Sequence, residues 1–184
     1  MSTSDLSDFL NPTHAVYAAK IRDGMKIADL GVGAGFFARA AARLVGPSGI
    51  VYAVDIDRGL LQRLDSYAKA EGLSNLHYIQ GDFDLPHGTS LPDGTLDVAL
   101  VVNTLFQVVD KAQLVQEVWR ILRPGGRVVV IDWSASFNHM GPHPDQVVTK
   151  EKAIDMFTRG GGFAHLEDIP AGSYHYGFIL KRSK

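Results

Sequence analysis

Ala28-Asp29-Leu30-Gly31-Val32-Gly33-Ala34-Gly35-Phe36-Phe37 is the stretch whose reading decides the fold. A short apolar run, Met25 to Leu30, leads into it, and the helix formers Ala38-Arg39-Ala40-Ala41-Ala42-Arg43-Leu44-Val45 follow it. The pattern predicts a strand, a glycine turn and a helix. Gly31, Gly33 and Gly35 remove side chains where the backbone bends tightly and a ligand comes close. The helix that follows aims its free N–H groups back at that ligand. Taken alone, the turn is either a nucleotide-binding device or a glycine-rich turn that binds nothing, and the rest of the chain decides between them.

Upstream, Asn11-Pro12 reads as a cap and first helical residue. Ala15, Val16 and Ala19 continue a short leader helix that is expected to end near Asp23-Gly24. Downstream, Phe37, Ala40, Ala41 and Leu44 recur at helical spacing, and Gly46-Pro47-Ser48-Gly49 is a turn. Ile50 to Val54 is the near-continuous apolar run of a strand buried on both faces, and it stops at Asp55-Ile56-Asp57. Asp55, at the end of a second strand, stands where a carboxylate can accept two ribose hydroxyls. Asp57 reads as the N-cap of the next helix, and Ile56 lies between them for an adenine face. Leu76 to Ile79 is a third strand running into Gly81-Asp82-Phe83, where Asp82 is a ligand acid or a turn residue. Pro92-Asp93-Gly94 turns into a fourth strand, Leu96 to Val102, that stops at Asn103-Thr104. Ala112 to Leu122 forms a helix ended by Arg123-Pro124-Gly125-Gly126, and Val128 to Trp133 is a fifth strand. A helix over 150–159 and a hairpin of Phe163–Ile169 with Tyr174–Leu180 complete the chain.

Composition bounds the classes open to such a chain. At 184 residues it is long enough for one full core. Its 46% hydrophobic and 21% charged residues are those of a globular protein, and the net charge of −2 advertises no nucleic-acid surface. No apolar run reaches the roughly 18 residues of a membrane span, and Met1 to Leu10 does not read as a signal peptide. With no cysteine, disulfides, thiolate metal sites and a cysteine nucleophile are excluded, and a cytoplasmic setting is expected.

The glycine spacing resembles the first motif of class I S-adenosylmethionine-dependent methyltransferases. It is Gly-x-Gly-x-Gly with an acid two residues earlier, and Phe36 stands where a dinucleotide fingerprint wants its third glycine. The acid of Asp55, the Gly81-Asp82-Phe83 turn and Leu122-Arg123-Pro124-Gly125-Gly126 follow in the family's order, so the resemblance covers 25–134. It implies an α/β, Rossmann-like doubly wound sheet of seven strands in order 3-2-1-4-5-7-6, the last strand antiparallel. It also implies S-adenosylmethionine as cofactor, held by Asp29, Gly31, Gly33, Gly35, Asp55, Ile56, Asp82, Phe83 and Asn103, with Asp82 receiving the adenine amino group. Independently of the motif, three carboxylates suit a ligand bearing an ammonium and a sulfonium and suit a pyrophosphate poorly. One methyltransferase domain is expected over 1–184: a leader or lid (1–24), a cofactor-binding core (25–134) and a substrate-side segment (135–184). In general pattern the chain is similar to the ubiquinone/menaquinone-pathway and small-molecule group.

The acceptor is expected over the leader, the Ser134–Gln146 loop and the hairpin tip at 170–174. These carry His14, His139, His143, Tyr174 and His175, either acid–base candidates or surface rings without a role. His139-x-x-x-His143 with Asp145 has metal-ligand spacing, but Gly141, Pro142 and Pro144 break the helix that would align the rings, so no metal is expected. Asn103-Thr104-Leu105-Phe106 lacks the Asn-Pro-Pro-Tyr type signature of amino-group methylation, and a chain without cysteine disfavours arsenic methylation. The acceptor is therefore expected to be a small molecule, with nucleic acid and membrane insertion disfavoured. A second copy of the chain is one way to cover the crevice. The rivals are an NAD(P)-binding oxidoreductase, which Phe36 and the Asp82 turn disfavour, and a non-catalytic methyltransferase-like partner subunit.

Overall fold

The computed structural model describes residues 10–137 and 140–183. Its centre is a seven-stranded sheet in the order β3-β2-β1-β4-β5-β7-β6. The strands are β1 (Lys26–Leu30), β2 (Ile50–Asp55), β3 (Leu76–Gln80), β4 (Leu96–Val102), β5 (Leu122–Trp133), β6 (Phe163–Asp168) and β7 (His175–Arg182). The first five pair in parallel, and β7 pairs antiparallel with both β5 and β6. The order and direction expected from the resemblance are those observed.

Residues alternate between two cores because strand side chains point to opposite faces. Ile27, Val51, Val98, Leu100, Val129 and Ile131 pack under α1 (Pro12–Ala18), α2 (Phe36–Val45) and α3 (Arg58–Ala70). Ala28, Leu30, Ala99, Val101, Val128 and Val130 pack under α4 (Lys111–Ile121) and α5 (Lys150–Arg159). A sheet covered on both faces needs apolar residues at every position, which is why these strands read as unbroken apolar runs. Caps set where the helices begin: the Asn11, Asp57, Asp110 and Thr149 side chains accept from N–H groups in the first turn.

Two boundaries differ from the sequence reading. The leader helix stops at Ala18, and its end is held by the Arg127 guanidinium, which donates to the carbonyls of Ala19 (2.9 Å) and Lys20 (3.2 Å). That tertiary tie has no local signal. Strand β5 begins at Leu122, which pairs with Leu96 before the register jumps to Arg127 opposite Val98. The Arg-Pro-Gly-Gly turn is thus a bulge within the ladder. Among the described residues no helix is long and apolar enough to cross a membrane.

The second face is closed by a glycine. A Cβ on Gly161 would overlap Val115 of α4 and come within 2.6 Å of the Phe157 carbonyl, so α5 approaches α4 only because that atom is missing. Gly160 has nothing within 4 Å of the same construction, and its φ of −119° suits any residue. Gly161→Ala is therefore expected to cost about 1–3 kcal/mol through overpacking, while Gly160→Ala stays within about 0.5 kcal/mol. Urea unfolding of the two variants beside the parent checks this, and equal midpoints for both would refute the packing account.

Candidate functional site

Strand order reverses between β1 and β4, and the crevice of an open α/β sheet lies beyond the carboxyl ends of such strands. A cavity of about 330 Å³ is found there. It is lined by Gly31 and Gly33, by Asp55, Ile56 and Leu60, by Gly81 to Asp84, and by Thr104, Gln107 and Val108. Its size falls in the usual range for small-molecule pockets, about 300–1,000 Å³. A larger groove of about 640 Å³ lies elsewhere, between α4 and the Gly160–Gly162 turn, and holds none of the glycine-turn residues.

The turn that floors the cavity is built from left-handed glycines: Gly31, Gly33 and Gly35 have φ of +77°, +52° and +76°. A Cβ at Gly31 would come 2.8 Å from the Thr104 hydroxyl, and one at Gly35 would overlap Leu64 of α3. Gly33 differs, since its Cβ would meet only the Gly31 carbonyl at 4.0 Å, so its open side faces the cavity. Two of the glycines let elements pack, and the middle one leaves room for a ligand.

Asp55 holds this turn in place. Its Oδ2 accepts from the Gly33 N–H at 2.9 Å and its Oδ1 from the Asp57 N–H at 2.9 Å. Each carboxylate oxygen keeps further acceptor capacity. Ile56, next along, is 64% exposed at the cavity rim. Asp82, which also lines the cavity, makes a similar local bond, its Oδ1 accepting from the Asp84 N–H at 3.0 Å.

The far wall hangs on a buried acid that the sequence reading passed over. Asp132 accepts from the N–H groups of Thr104 (3.1 Å) and Leu105 (2.8 Å), and from its neighbour Trp133 (2.8 Å). The Thr104 hydroxyl donates to the Leu30 carbonyl at 3.0 Å, tying the end of β4 to the end of β1. Burial raises the Asp132 carboxyl to about 6, against the pull of those three N–H donors and of Lys111. Thr104, read in the sequence as half of the polar pair that ends β4, lines the cavity, and Leu60, Asp84, Gln107 and Val108 line it without having been read as site residues. Asp132 carried one signal, an acid interrupting the apolar run of β5.

The remaining expected site residues divide. Gly31, Gly33, Asp55, Ile56, Asp82 and Phe83 come together around the cavity. Gly35 lies under the turn. Asp29 is 2% exposed behind it, and its Oδ2 is buried without a hydrogen-bond partner. Asn103 ends β4 in a left-handed conformation, φ +52°, with its Oδ1 likewise buried and unpartnered. No residue of α1 lines the cavity; that helix buries Ala15 and Val16 against the sheet.

On the acceptor side, His139 lies outside the described residues, and His14 and His143 are exposed. His143 caps a 3-10 turn, Pro144–Gln146, beside Asp145 at 3.4 Å. Tyr174 and His175 join an aromatic cluster at the edge of β5 and β7. The Phe137 ring meets Tyr174 edge-on at 4.9 Å, and His175 lies 4.3 Å from Trp133. Burial lowers the His175 imidazole to about 4, so it is neutral at ordinary pH.

The residues present fit a cationic nucleoside better than a pyrophosphate. Two acids, Asp55 and Asp82, border the cavity with Asp84 beside them, Gly33 offers an open side, and Asp29 and Asn103, close in sequence to the lining residues Gly31 and Thr104, keep unpartnered oxygens. Asp29 also carries a signature in stability. Burial raises its carboxyl from 3.8 to about 7, opposed by the Ala38 N–H and reinforced by Asp55. The folded state therefore holds the Asp29 proton more tightly than the unfolded chain, and stability is lost as pH rises from about 4 to about 7. Asp29→Asn removes that loss. It is expected to stabilise the ligand-free protein by about 1–3 kcal/mol near pH 8, with the gain disappearing near pH 4. Urea titrations across this range check the sign, and a variant less stable at pH 8 would refute it.

Comparison with known proteins agrees with this geometry. A family model described as a methyltransferase domain matches residues 28–130. The ubiquinone/menaquinone biosynthesis C-methyltransferase UbiE of Pasteurella multocida is 35% identical over 116 residues, 62% of this chain and 42% of that protein. The chain thus spans less than half the length of such curated relatives. Among solved structures, a SAM-dependent methyltransferase from Aquifex aeolicus superposes with a TM-score of 0.84 at 24% identity, covering 98% of this chain and 94% of that one. An arsenic(III) S-adenosylmethionine methyltransferase from Chlamydomonas reinhardtii gives 0.69 at 25% identity, over 89% of this chain and 65% of the other. With the strand order, the glycine turn and the family match over more than half of its length, the chain belongs to the methyltransferase-domain family, of the class I, S-adenosylmethionine-dependent type.

Proposed function

We propose that the protein transfers a methyl group from S-adenosylmethionine to a small-molecule acceptor by in-line displacement. The observation that carries this reading is the cavity of about 330 Å³ at the β1–β4 reversal, lined by the open Gly33 and by the acids Asp55 and Asp82. The name of the UbiE relatives, a C-methyltransferase, supports a small acceptor with carbon as the acceptor atom.

In this reading each wall has a task. Asp55 uses its remaining lone pairs for the ribose hydroxyls while its bonds to Gly33 and Asp57 keep it from rotating away. Ile56 covers the adenine face, Asp82 Oδ2 receives its amino group, and the Phe83 N–H meets the ring. Gly31, Gly33 and Gly35 shape the turn, and Asp29 and Asn103 line up behind the amino-acid end of the donor. Bound there, the donor supplies a methyl group on a sulfonium, which is already a good leaving group. The protein's work is then alignment and exclusion of water. A base is needed only where the acceptor loses a proton in the transition state. Residues 25–134 form the donor-binding part of this scheme, with the leader and 135–184 on the acceptor side.

Calorimetric titration with S-adenosylmethionine, S-adenosylhomocysteine and NADH tests the reading. Micromolar binding of both sulfur nucleosides and none of NADH is expected. Asp82→Ala is expected to weaken both by about tenfold or more, the loss of one hydrogen bond to a charged group. Asp55→Ala should weaken them further because the Gly33 contact goes too, and a melting curve separates that from unfolding. Preference for NADH, or no binding of either nucleoside, would reject methyl transfer.

A further inference from the structure

The turn that follows β3 is closed on itself. The Asp82 N–H donates to the Gly88 carbonyl at 3.1 Å, and the N–H groups of Leu85 and Gly88 donate to the Asp82 and Leu85 carbonyls at 3.0 Å each. A Cβ on Gly88 would overlap the Asp82 carbonyl, so the two strands of the turn touch with no space between them. The Asp84 N–H donates to the Asp82 side chain at 3.0 Å. The Phe83 N–H, lying between these donors, takes no part in the pairing among the described residues.

This closed turn is fastened to α4 at two points. At its back the Thr89 N–H and hydroxyl donate to Glu117, and neither residue lines the donor cavity. At its front the Asp84 carboxylate accepts from the Asp110 N–H at 3.0 Å with Oδ1 and from the Val109 N–H at 3.2 Å with Oδ2. Asp110 is the N-cap of α4, and N–H groups at a helix start lack intrahelical partners and favour a negative charge. The front bond joins two walls of the cavity, Phe83 and Asp84 from one loop, Gln107 and Val108 from the other. Both Asp84 oxygens are engaged in holding those walls together.

We propose that Asp84 is a positioning residue that gives the donor site its selectivity for a 6-aminopurine. By clamping the turn to the start of α4 it holds the Asp82 carboxylate and the Phe83 N–H where they meet the base together. The inference rests on the methyl-transfer reading and adds the residue that sets base selectivity. A hydrogen-bonding site rejects an analogue strongly only when its polar groups are fixed against rearrangement, and a clamp made before the ligand arrives supplies that.

The test titrates the full chain with S-adenosylhomocysteine and with S-inosylhomocysteine, which carries an oxo group in place of the amino group. The parent is expected to prefer the adenosine compound by about tenfold or more. Asp84→Ala is expected to weaken it by about fivefold and the inosine compound by less than about twofold, so that the preference shrinks to about twofold. Asp84→Asn, which keeps one acceptor oxygen, is expected to retain an intermediate preference, and it decides the matter should the Ala variant not fold. In an Asp82→Ala background, Asp84→Ala is expected to leave the already reduced preference unchanged, as befits a residue acting through Asp82. Hydrogen exchange at the Val109 and Asp110 amides is expected to quicken in Asp84→Ala. Equal weakening of both compounds would give Asp84 a merely structural role and overturn the inference. A further loss of preference in the Asp82→Ala background would make it a direct contact and overturn the inference too, as would unchanged amide exchange or a parent that binds both compounds equally. Failure of the parent to bind S-adenosylhomocysteine would instead sink the methyl-transfer reading, and this inference with it.

Discussion

The site depends on one junction, where the Asp132 carboxylate accepts from the N–H groups of Thr104 and Leu105 and the Thr104 hydroxyl donates to the carbonyl of Leu30. These bonds fasten the chain leaving β4 to the end of β1, across the gap where helices depart to opposite faces of the sheet. Water is excluded from this junction, and Asp132 is 2% exposed. Its carboxylate is stabilised by fixed N–H dipoles instead, which offset part of the desolvation that raises its proton affinity. With the junction in place, Gly31 has no space for a side chain, and the glycine turn is confined to one path.

A second acid extends the same logic to the other side of the turn. Asp55 binds the Gly33 N–H across 22 residues of sequence and the Asp57 N–H two residues on. It therefore shapes the turn and starts α3 before any ligand arrives. Preorganisation of this kind lowers the ordering cost of binding. Asp29 takes the opposite position, buried against α2 and repelled by Asp55. The acids at the ends of β1, β2 and β3 thus have different environments: Asp29 is shielded, Asp55 is bonded on both oxygens, and Asp82 lines the cavity. The bonds that hold loop 82–92 are as specific. Glu117, 1% exposed, accepts from the Thr89 N–H (3.1 Å) and hydroxyl (2.5 Å) and from Arg120 (2.7 Å), so the far end of the loop carrying Asp82 is anchored to α4.

The wider comparison sets how far function follows from architecture. The same fold superposes on the [4+2]-cyclase SpnF with a TM-score of 0.77 at 16% identity. A shared sheet order therefore leaves the chemistry open, and the residues at the site decide it. In this chain the carboxyl edge gathers the acids around the cavity and the aromatic cluster of β5 and β7. The two lie on one edge of the sheet, with β1 and β4 between them.

Much of this was legible in the sequence because the relevant signals are local. Unbroken apolar runs mark strands covered on both faces, Asn11 and Asp57 mark helix starts, and glycine spacing marks the turn, since each reflects the chain's own dihedral and hydrogen-bonding limits. Asp55, Asp82 and Asn103 could be picked out because acids or amides that end apolar runs stand where strands meet solvent. Other features were decided only by contacts between distant parts of the chain. Arg127 stops the leader helix at Ala18, Leu96 draws Leu122 into β5, and Asp132 reaches Thr104 across 28 residues. The neutrality of His175 likewise follows from burial beside Trp133, a cross-strand neighbour that local spacing does not reveal. Sequence by itself determined the elements, their order and the acids at the strand ends; tertiary packing decided which polar atoms are paired, which are left open and what charge they carry, because desolvation depends on everything that surrounds an atom.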